Sequence, residues 1–399
     1  MIRLKDTRYP NTAGFLENAI RVAEYYGFSA LDQMPRLSSR STAQRKLPSL
    51  SEVESGIAFA RRDEKALLTA ARRCIVSMRE GGALLAWRIS TNSSGIPSVS
   101  FELHIVGPQT TIAEALLIIA GNAIAEEAGI NERILSINNI GSPESNGRYV
   151  RDVGLYLRKH IESISPTLRE RAASDPLGTL VQLIERGHPA ISRAPQPMEY
   201  LTEEERRRFW ELLEYLEIFG LPYELNAHIL GSRDCWAHSL FEISLLDPES
   251  GTRIPLAFGG RYDPLASRIA RIGQGAAMVS ITCEVKGSVR VPRAKREQRD
   301  TPMIYFAHLG TEARRRSLPI LEMLRRESIP VYQSLWHEQI GEQMIHARQL
   351  MTPYVLIVGH KEAMESTVLV REVATNSQEA VPLSDIVSYL RRRRIGVKQ

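Results

Sequence analysis

Cysteine is scarce: three in 399 residues, Cys74, Cys235 and Cys283. They stand far apart without metal-ligand spacing, which argues for a reducing compartment and against a disulfide framework. No apolar run approaches the ~18–20 residues that a bilayer span needs. Met1 to Pro10 is polar and lacks the apolar centre of a secretory leader. These absences predict a cytoplasmic protein with no membrane partner. There is no internal repeat and no low-complexity segment. Net charge is also small, +5, although the sequence pI is about 9.1. That balance is compatible with nucleic-acid binding without demanding it. The remaining composition, 43% hydrophobic and 24% charged, is that of a soluble globular protein long enough for two or three domains.

Periodicity places the elements. Phe15 to Tyr26 has helical spacing and stops at Gly27, and Phe28 to Leu31 leads toward Pro35. Arg36 to Glu54 reads as a loop. Ala58 to Met78 reads as a helix with Arg61, Arg62, Arg72 and Arg73 on a solvated face. Leu84 to Ile89 and Val99 to Val106 read as paired strands around a turn over 91–98. Residues 110–129 predict an amphipathic helix capped by Thr110 or Thr111, with Glu114 in its first turn and Gly129 as its stop. Leu201 to Gly220 predicts another, with Thr202 as cap and Glu203, Glu204 and Glu205 at its positive end. Strands follow over 223–229, 239–246, up to Gly259-Gly260, and 273–285, with a polar turn over 231–238. From Pro302 onward β and α units alternate, which predicts a small α/β domain with a mixed sheet.

One stretch carries chemistry on its face: Leu256-Ala-Phe-Gly-Gly-Arg-Tyr-Asp-Pro-Leu-Ala266. Gly259 and Gly260 at a strand end let a backbone or a ligand approach closely. Arg261 is a permanent cation with a planar donor fork. It suits either a surface pair with the nearby Asp263 or an anionic ligand. The string resembles the Gly-Gly-Arg-Tyr-Asp-Gly-Leu signature of histidyl-tRNA synthetases and their paralogues. Further collinear matches are "YYGFSALDQMP", which resembles motif 1 with Pro35 as its proline, and Asn138-Asn139-Ile140-Gly141. Arg148-Tyr149 with Leu155, Asp175-Pro176-Leu177-Gly178, and Gln343, Ala347, Ile357-Val358-Gly359 and Glu362 continue the series.

The resemblance implies an α+β class II synthetase-like antiparallel sheet domain over 1–287, a basic linker over 288–301, and a small α/β anticodon-binding-like domain over 302–399. It also implies a homodimer and tRNA or another structured RNA as partner, with no DNA expected.

The same resemblance exposes departures where adenylation needs cations on phosphates and donors on a carboxylate. Arg88 aligns with the phosphate arginine of motif 2, but the "ISTNSSGIPSV" loop has no acid and no second arginine. Gly231 replaces the arginine of the histidine-specific motif. Cys235 and Trp236 replace its tyrosines, and only Asp234 is kept. Arg233 is two residues along, ~6–7 Å in a strand-like segment. In motif 3, Glu284 remains but Val285 replaces the arginine. Ser100 and His104 stand where the family reads histidine with a Gln and a Glu. His104, Arg233, Asp234, Trp236, Gly259, Gly260, Arg261, Tyr262 and Glu284 are thus the candidate ligand pocket, with no metal site.

The main expectation is a catalytically inactive paralogue that binds RNA or acts as a regulatory subunit. The alternative is a divergent histidine–tRNA ligase using ATP and Mg²⁺. A partner like the histidine-biosynthesis regulator built on this fold fits less well, because such regulators usually lack the C-terminal domain. Basic clusters at 290–299, 314–316, 325–326 and 391–394 are either solvated faces or an RNA surface. Gln343, Arg348, Glu362, Arg391 and Arg392 are the candidate RNA residues, with Tyr305, Tyr332 and Trp336 as stacking surfaces.

Overall fold

The computed structural model describes residues 1–34, 47–61, 63–78, 82–92, 96–247, 251–286 and 303–396. Pro35, Arg62 and the linker with its 290–299 arginines therefore lie outside the described residues.

Eight strands form the larger sheet: β1 (Ser29–Ala30), β2 (Leu84–Asn92), β3 (Ser98–Gly107), β4 (Arg133–Asn139), β5 (Glu224–Leu225), β6 (Ala237–Leu246), β7 (Arg253–Arg261) and β8 (Gly275–Glu284). Their spatial order is β1-β2-β3-β8-β7-β6-β4-β5. The pairs are antiparallel except β1–β2 and β4–β5 at the edges. The strand expected over 223–229 is only Glu224–Leu225, whose pairing with β4 closes on the bond from Asn226 N to Ile137 O, 2.9 Å.

Around this sheet lie α1 (Thr12–Tyr25), α2 (Leu50–Glu54), α3 (Glu64–Ser77), α4 (Ile112–Glu127), α5 (Pro143–Lys159), α6 (Pro166–Ser174), α7 (Pro176–Glu185), α8 (Glu203–Phe219) and α9 (Asp263–Ala270). Helix α2 falls inside the expected loop because Ser49 and Glu52 form a capping box. The box expected from Thr202 closes on Glu205, which also accepts from Ser142 N and Ser145 Oγ. Helix α4 is not amphipathic: every residue from Ile112 to Ala125 is buried. It is sandwiched between the odd-numbered face of β3, β7 and β8 and helices α1 and α8.

The described residues of the C-terminal domain form a five-stranded mixed sheet, β10-β9-β11-β12-β13. It comprises β9 (Ile304–His308), β10 (Tyr332–Gln333), β11 (Tyr354–Val358), β12 (Thr367–Glu372) and β13 (Gln378–Pro382), with α10 (Thr311–Arg326), α11 (Ile340–Gln349), α12 (His360–Glu365) and α13 (Ile386–Arg392). Strand β13 had no sequence signal, since its exposed edge carries Gln378, Glu379 and Ala380 rather than an apolar alternation.

The two sheets' layers meet through α10. Tyr25 Oη donates to Ile329 O at 3.0 Å, and Gln333 Nε2 to Tyr26 O at 2.9 Å. Glu126 and Glu127 end α4, where carboxylates face the negative pole of the helix dipole. Cations from α10 compensate them: Arg326 lies 3.0 Å from Glu126, and Arg325 contacts Glu127 while pairing with Glu322 at 2.7 Å. Arg315 meets Glu214 of α8 at 2.6 Å. The clusters at 314–316 and 325–326, read as solvated or RNA-facing, are thus largely spent on this junction.

Arg325 is nearly buried, at 8% side-chain exposure. Arg325→Ala removes one cation from two carboxylates that keep Arg21 on Glu127 and Arg326 and Tyr26 on Glu322, and should cost about 1–3 kcal/mol. Urea unfolding followed by fluorescence should register that loss. A variant within about 0.5 kcal/mol of wild type would show that the junction does not depend on this cation.

Candidate functional site

Period-two alternation builds the floor of the site. On β3, Val99, Phe101, Leu103 and Ile105 enter the core, so Ser100, Glu102 and His104 share the opposite face. Register then sets one row across five strands: Arg88, Glu102, Ser280, Phe258 and Glu242.

His104 is completely buried and turned into this row. Its Nε2 lies 3.3 Å from Glu102 Oε2, and its Nδ1 3.2 Å from Tyr262 Oη. Because an ionised carboxylate only accepts, Nε2 must donate. Arg88 Nη1 at 3.4 Å and Ser90 Oγ at 2.6 Å also donate to Glu102. Burial alone would push the Glu102 carboxyl up. The His104 ring, Arg88 and Ser90 outweigh it and hold that carboxyl below its ordinary range. Arg88 therefore faces the site, as aligned, with its guanidinium already on a carboxylate.

The segment ahead of α3 is sewn to the 231–236 turn. Buried Glu64 accepts from the amides of Ser232 at 2.8 Å, Ala60 at 2.7 Å and Arg61 at 3.2 Å. Burial pushes this carboxyl up against the pull of those amides. Asp234 accepts from Ala58 N at 3.0 Å and Arg268 Nη2 at 3.3 Å. The solvated face expected for the arginines of this region is not found. Arg61 lays its guanidinium 3.8 Å from the Phe258 ring centroid, and Arg73 donates to Leu31 O and Met34 O. Burial raises the Glu242 carboxyl, opposed by the charge of Arg61.

Trp236 packs edge-on against Phe258, centroids 5.5 Å apart, and against Tyr262 at 6.5 Å. A Cβ on Gly231 would lie 2.5 Å from Trp236 Cδ1. Gly231 and Trp236 are one packing unit, and a larger residue at 231 excludes the ring at its present place.

Arg261 of the signature stretch is fully buried, so the expected pair with Asp263 lies inside the protein rather than on its surface. Its Nη2 donates to Glu114 Oε2 at 2.8 Å and Thr110 O at 3.1 Å. Its Nη1 donates to Asp263 Oδ1 at 3.1 Å and Pro108 O at 3.2 Å. Gly259 and Gly260 serve strand packing rather than a ligand: a Cβ on the first would collide with Met278 O, and on the second would lie 2.6 Å from Ser239 O.

Glu284 accepts from Leu4 N at 2.6 Å and pairs with Lys286 at 3.2 Å, while Val285 packs half-buried on the core. Arg233 is exposed and lines an outer cleft with Arg148 and Arg151. The structure thus gathers His104, Tyr262, Trp236 and Arg88, and leaves Arg233, Arg261 and Glu284 apart from them.

Sequence reasoning missed Arg61, Glu64, Glu102 and Glu114. Only Glu102 left a signal, an acid two residues from His104 on one strand face and opposite Arg88.

In the C-terminal domain Gln343 is buried, donating to His308 O at 2.8 Å and His337 O at 3.0 Å while accepting from His308 N. Glu362 caps α12 through Gly359 N at 2.9 Å. Both amide and carboxylate therefore hold backbone. Arg391 pairs with Glu327 at 2.6 Å. Arg348 and Arg392 are exposed, with no ion pair or hydrogen bond among the described residues. Tyr305 is core, whereas half-buried Tyr332, Trp336, His337 and His346 form a ring cluster with centroids 5.7–6.4 Å apart.

Gly231→Ala should displace Trp236 and cost about 1–3 kcal/mol through overpacking. Near-ultraviolet circular dichroism and thermal melting report both effects. An unchanged spectrum and midpoint would separate the glycine from the ring.

Residues 305–393 match the family described as "Anticodon binding domain". A protein of Symbiobacterium thermophilum named histidine–tRNA ligase is 28% identical over 298 residues, 73% of this chain and 68% of the relative. One of Lysinibacillus sphaericus with the same name is 24% identical over 295 residues, 73% and 69% of the two chains. The apo histidyl-tRNA synthetase of S. aureus aligns over 94% of each chain with 16% identity and a TM-score of 0.48. The antiparallel sheet, the α/β domain that follows it, the anticodon-binding match and the two sequence relatives together support a histidyl-tRNA synthetase-like chain.

Proposed function

We propose that the chain is a histidyl-tRNA synthetase-like protein that does not ligate histidine. It binds tRNA or another structured RNA, as a cytoplasmic homodimer, through a domain running from about residue 302 to the C-terminus. One observation carries the loss of ligation: the pocket face is occupied by the protein's own groups. Trp236 takes the space beside Gly231, Arg61 covers Phe258, and His104 and Arg88 both spend their polarity on Glu102. An ammonium or phosphate entering there meets neither a free carboxylate nor a free guanidinium among these groups.

RNA binding is supported by the anticodon-binding match over 305–393, by exposed Arg348 and Arg392, and by the rings of Tyr332 and Trp336. Bases stack on such surfaces while guanidiniums hold phosphates. No described helix is long and apolar enough to cross a membrane.

The second reading is an active, divergent ligase using ATP and Mg²⁺. It draws on the names of the relatives and on Arg88, which faces the site. Among the described residues no three His, Cys, Asp or Glu side chains group as a metal site would need, so this reading relies on the nucleotide's own phosphates to carry the ion.

Histidine-dependent ATP–pyrophosphate exchange should be absent, and Gly231→Arg with Val285→Arg should not restore it, because the two arginines leave the motif 2 loop without its acid and His104 and Arg88 still engaged with Glu102. Robust exchange by the unmodified protein would select the ligase reading. Light scattering at micromolar concentration should give twice the chain mass, as obligate interfaces often bury more than ~2,000 Å². A monomer mass would remove the dimer from the proposal.

A further inference from the structure

A cleft of about 810 Å³, open to solvent, lies between the first turns of α5 and the 231–236 turn. Arg148, Arg151 and Arg233 line it, opposed by Glu144 and Asp234. Asp234 is already held by Ala58 N and Arg268. Arg148 is anchored by donation to Ser145 Oγ at 3.0 Å and Tyr200 O at 2.9 Å. Arg151 and Arg233 are exposed, with no ion pair or hydrogen bond among the described residues.

The wall of α5 is shaped for this fork. Gly147 sits inside the helix, where glycine costs about 1 kcal/mol relative to alanine. A Cβ there would lie 3.2 Å from Arg233 Nη1, so the Arg233 guanidinium lies close against the helix at this glycine. The positive end of a 17-residue helix adds to the same field.

The lining also says what kind of anion fits. Among the described residues no aromatic side chain lines the cleft, so it offers a base no ring to stack on. Small-molecule sites are mostly apolar and enclosed, whereas this one is polar and open. Two unspent guanidiniums on two elements, beside a third that is fixed, match a run of phosphates along a chain.

We propose that this cleft grips the phosphate backbone of the RNA, as a second contact remote in sequence from the C-terminal domain. The inference rests on the RNA-binding reading above.

Filter binding of total tRNA to the full-length protein over a series of salt concentrations tests it. Arg151→Ala with Arg233→Ala should lower the slope of log K against log salt by about 1.4–1.8, since each released phosphate contact contributes roughly 0.7–0.9. Affinity at low salt should fall at least several-fold, with an unchanged melting temperature. Arg158→Ala with Lys159→Ala removes the same charge from the far end of α5 and should leave the slope as it is. An unchanged slope in the cleft variant, or an equal drop in the control, overturns the cleft while RNA binding stands. A wild-type protein that binds no tRNA overturns both.

Discussion

The Arg261–Glu114 pair governs the larger domain. A guanidinium with no solvent access would be prohibitively costly alone. Here Glu114 and Asp263 neutralise it, and the carbonyls of Pro108 and Thr110 accept further bonds from its two Nη atoms. Burial drives the Glu114 carboxyl up, yet Arg261 and Arg208 hold it below its ordinary range. Glu114 lies on α4, Arg261 on β7, and Asp263 at the start of α9, where it also accepts from Ala276 N at 2.7 Å. One cation thus ties the central helix, two strands and the helix after the signature. The position of Tyr262, and through it His104, follows from that tie.

Beside this fixed frame the candidate ligand face is closed by packing among its own side chains, and those side chains are matched to one another. Trp236 needs glycine at 231, and its ring then supports Phe258. Phe258 in turn offers its other surroundings to Arg61. Arg61 stays because Glu64 and Asp234 hold its segment by three backbone amides, and Glu64 ties it to the 231–236 turn through a fourth, that of Ser232. Each group is a partner of the next, so changing one position leaves the others in the way. Neighbouring positions of this kind are non-additive.

Much of the fold was legible because alternation and caps act locally. The β2–β3 pair, the Thr202 cap and the mixed second sheet follow from residues adjacent in sequence or one turn apart. The site was legible only as departures. Gly231 reads as a missing arginine, but nothing in the sequence says that Trp236 fills its space, because that contact depends on how a turn folds back. Arg261 misled for a related reason: its partner Glu114 is 147 residues away and reads locally as a helix-dipole acid. Gln343 and Glu362 looked like readers of an external group, whereas both satisfy backbone amides or carbonyls that a sharp β-to-α connection leaves open.

Arginine runs show the same limit from the other side. Counted along the chain, the last third is basic and invites an RNA surface throughout. Counted by partner, Arg314, Arg315, Arg325 and Arg326 neutralise acids on α8, α4 and α10. They set the docking of one domain on the other and contribute little field to solvent, since a paired charge is largely cancelled beyond a Debye length. Among the described residues the cations left without an acid include Arg348 and Arg392 on the small domain and Arg151 and Arg233 on the large one. The ion pairs of the junction set the distance between those two sets of cations, so under the RNA-binding proposal an RNA that touches both has to match it.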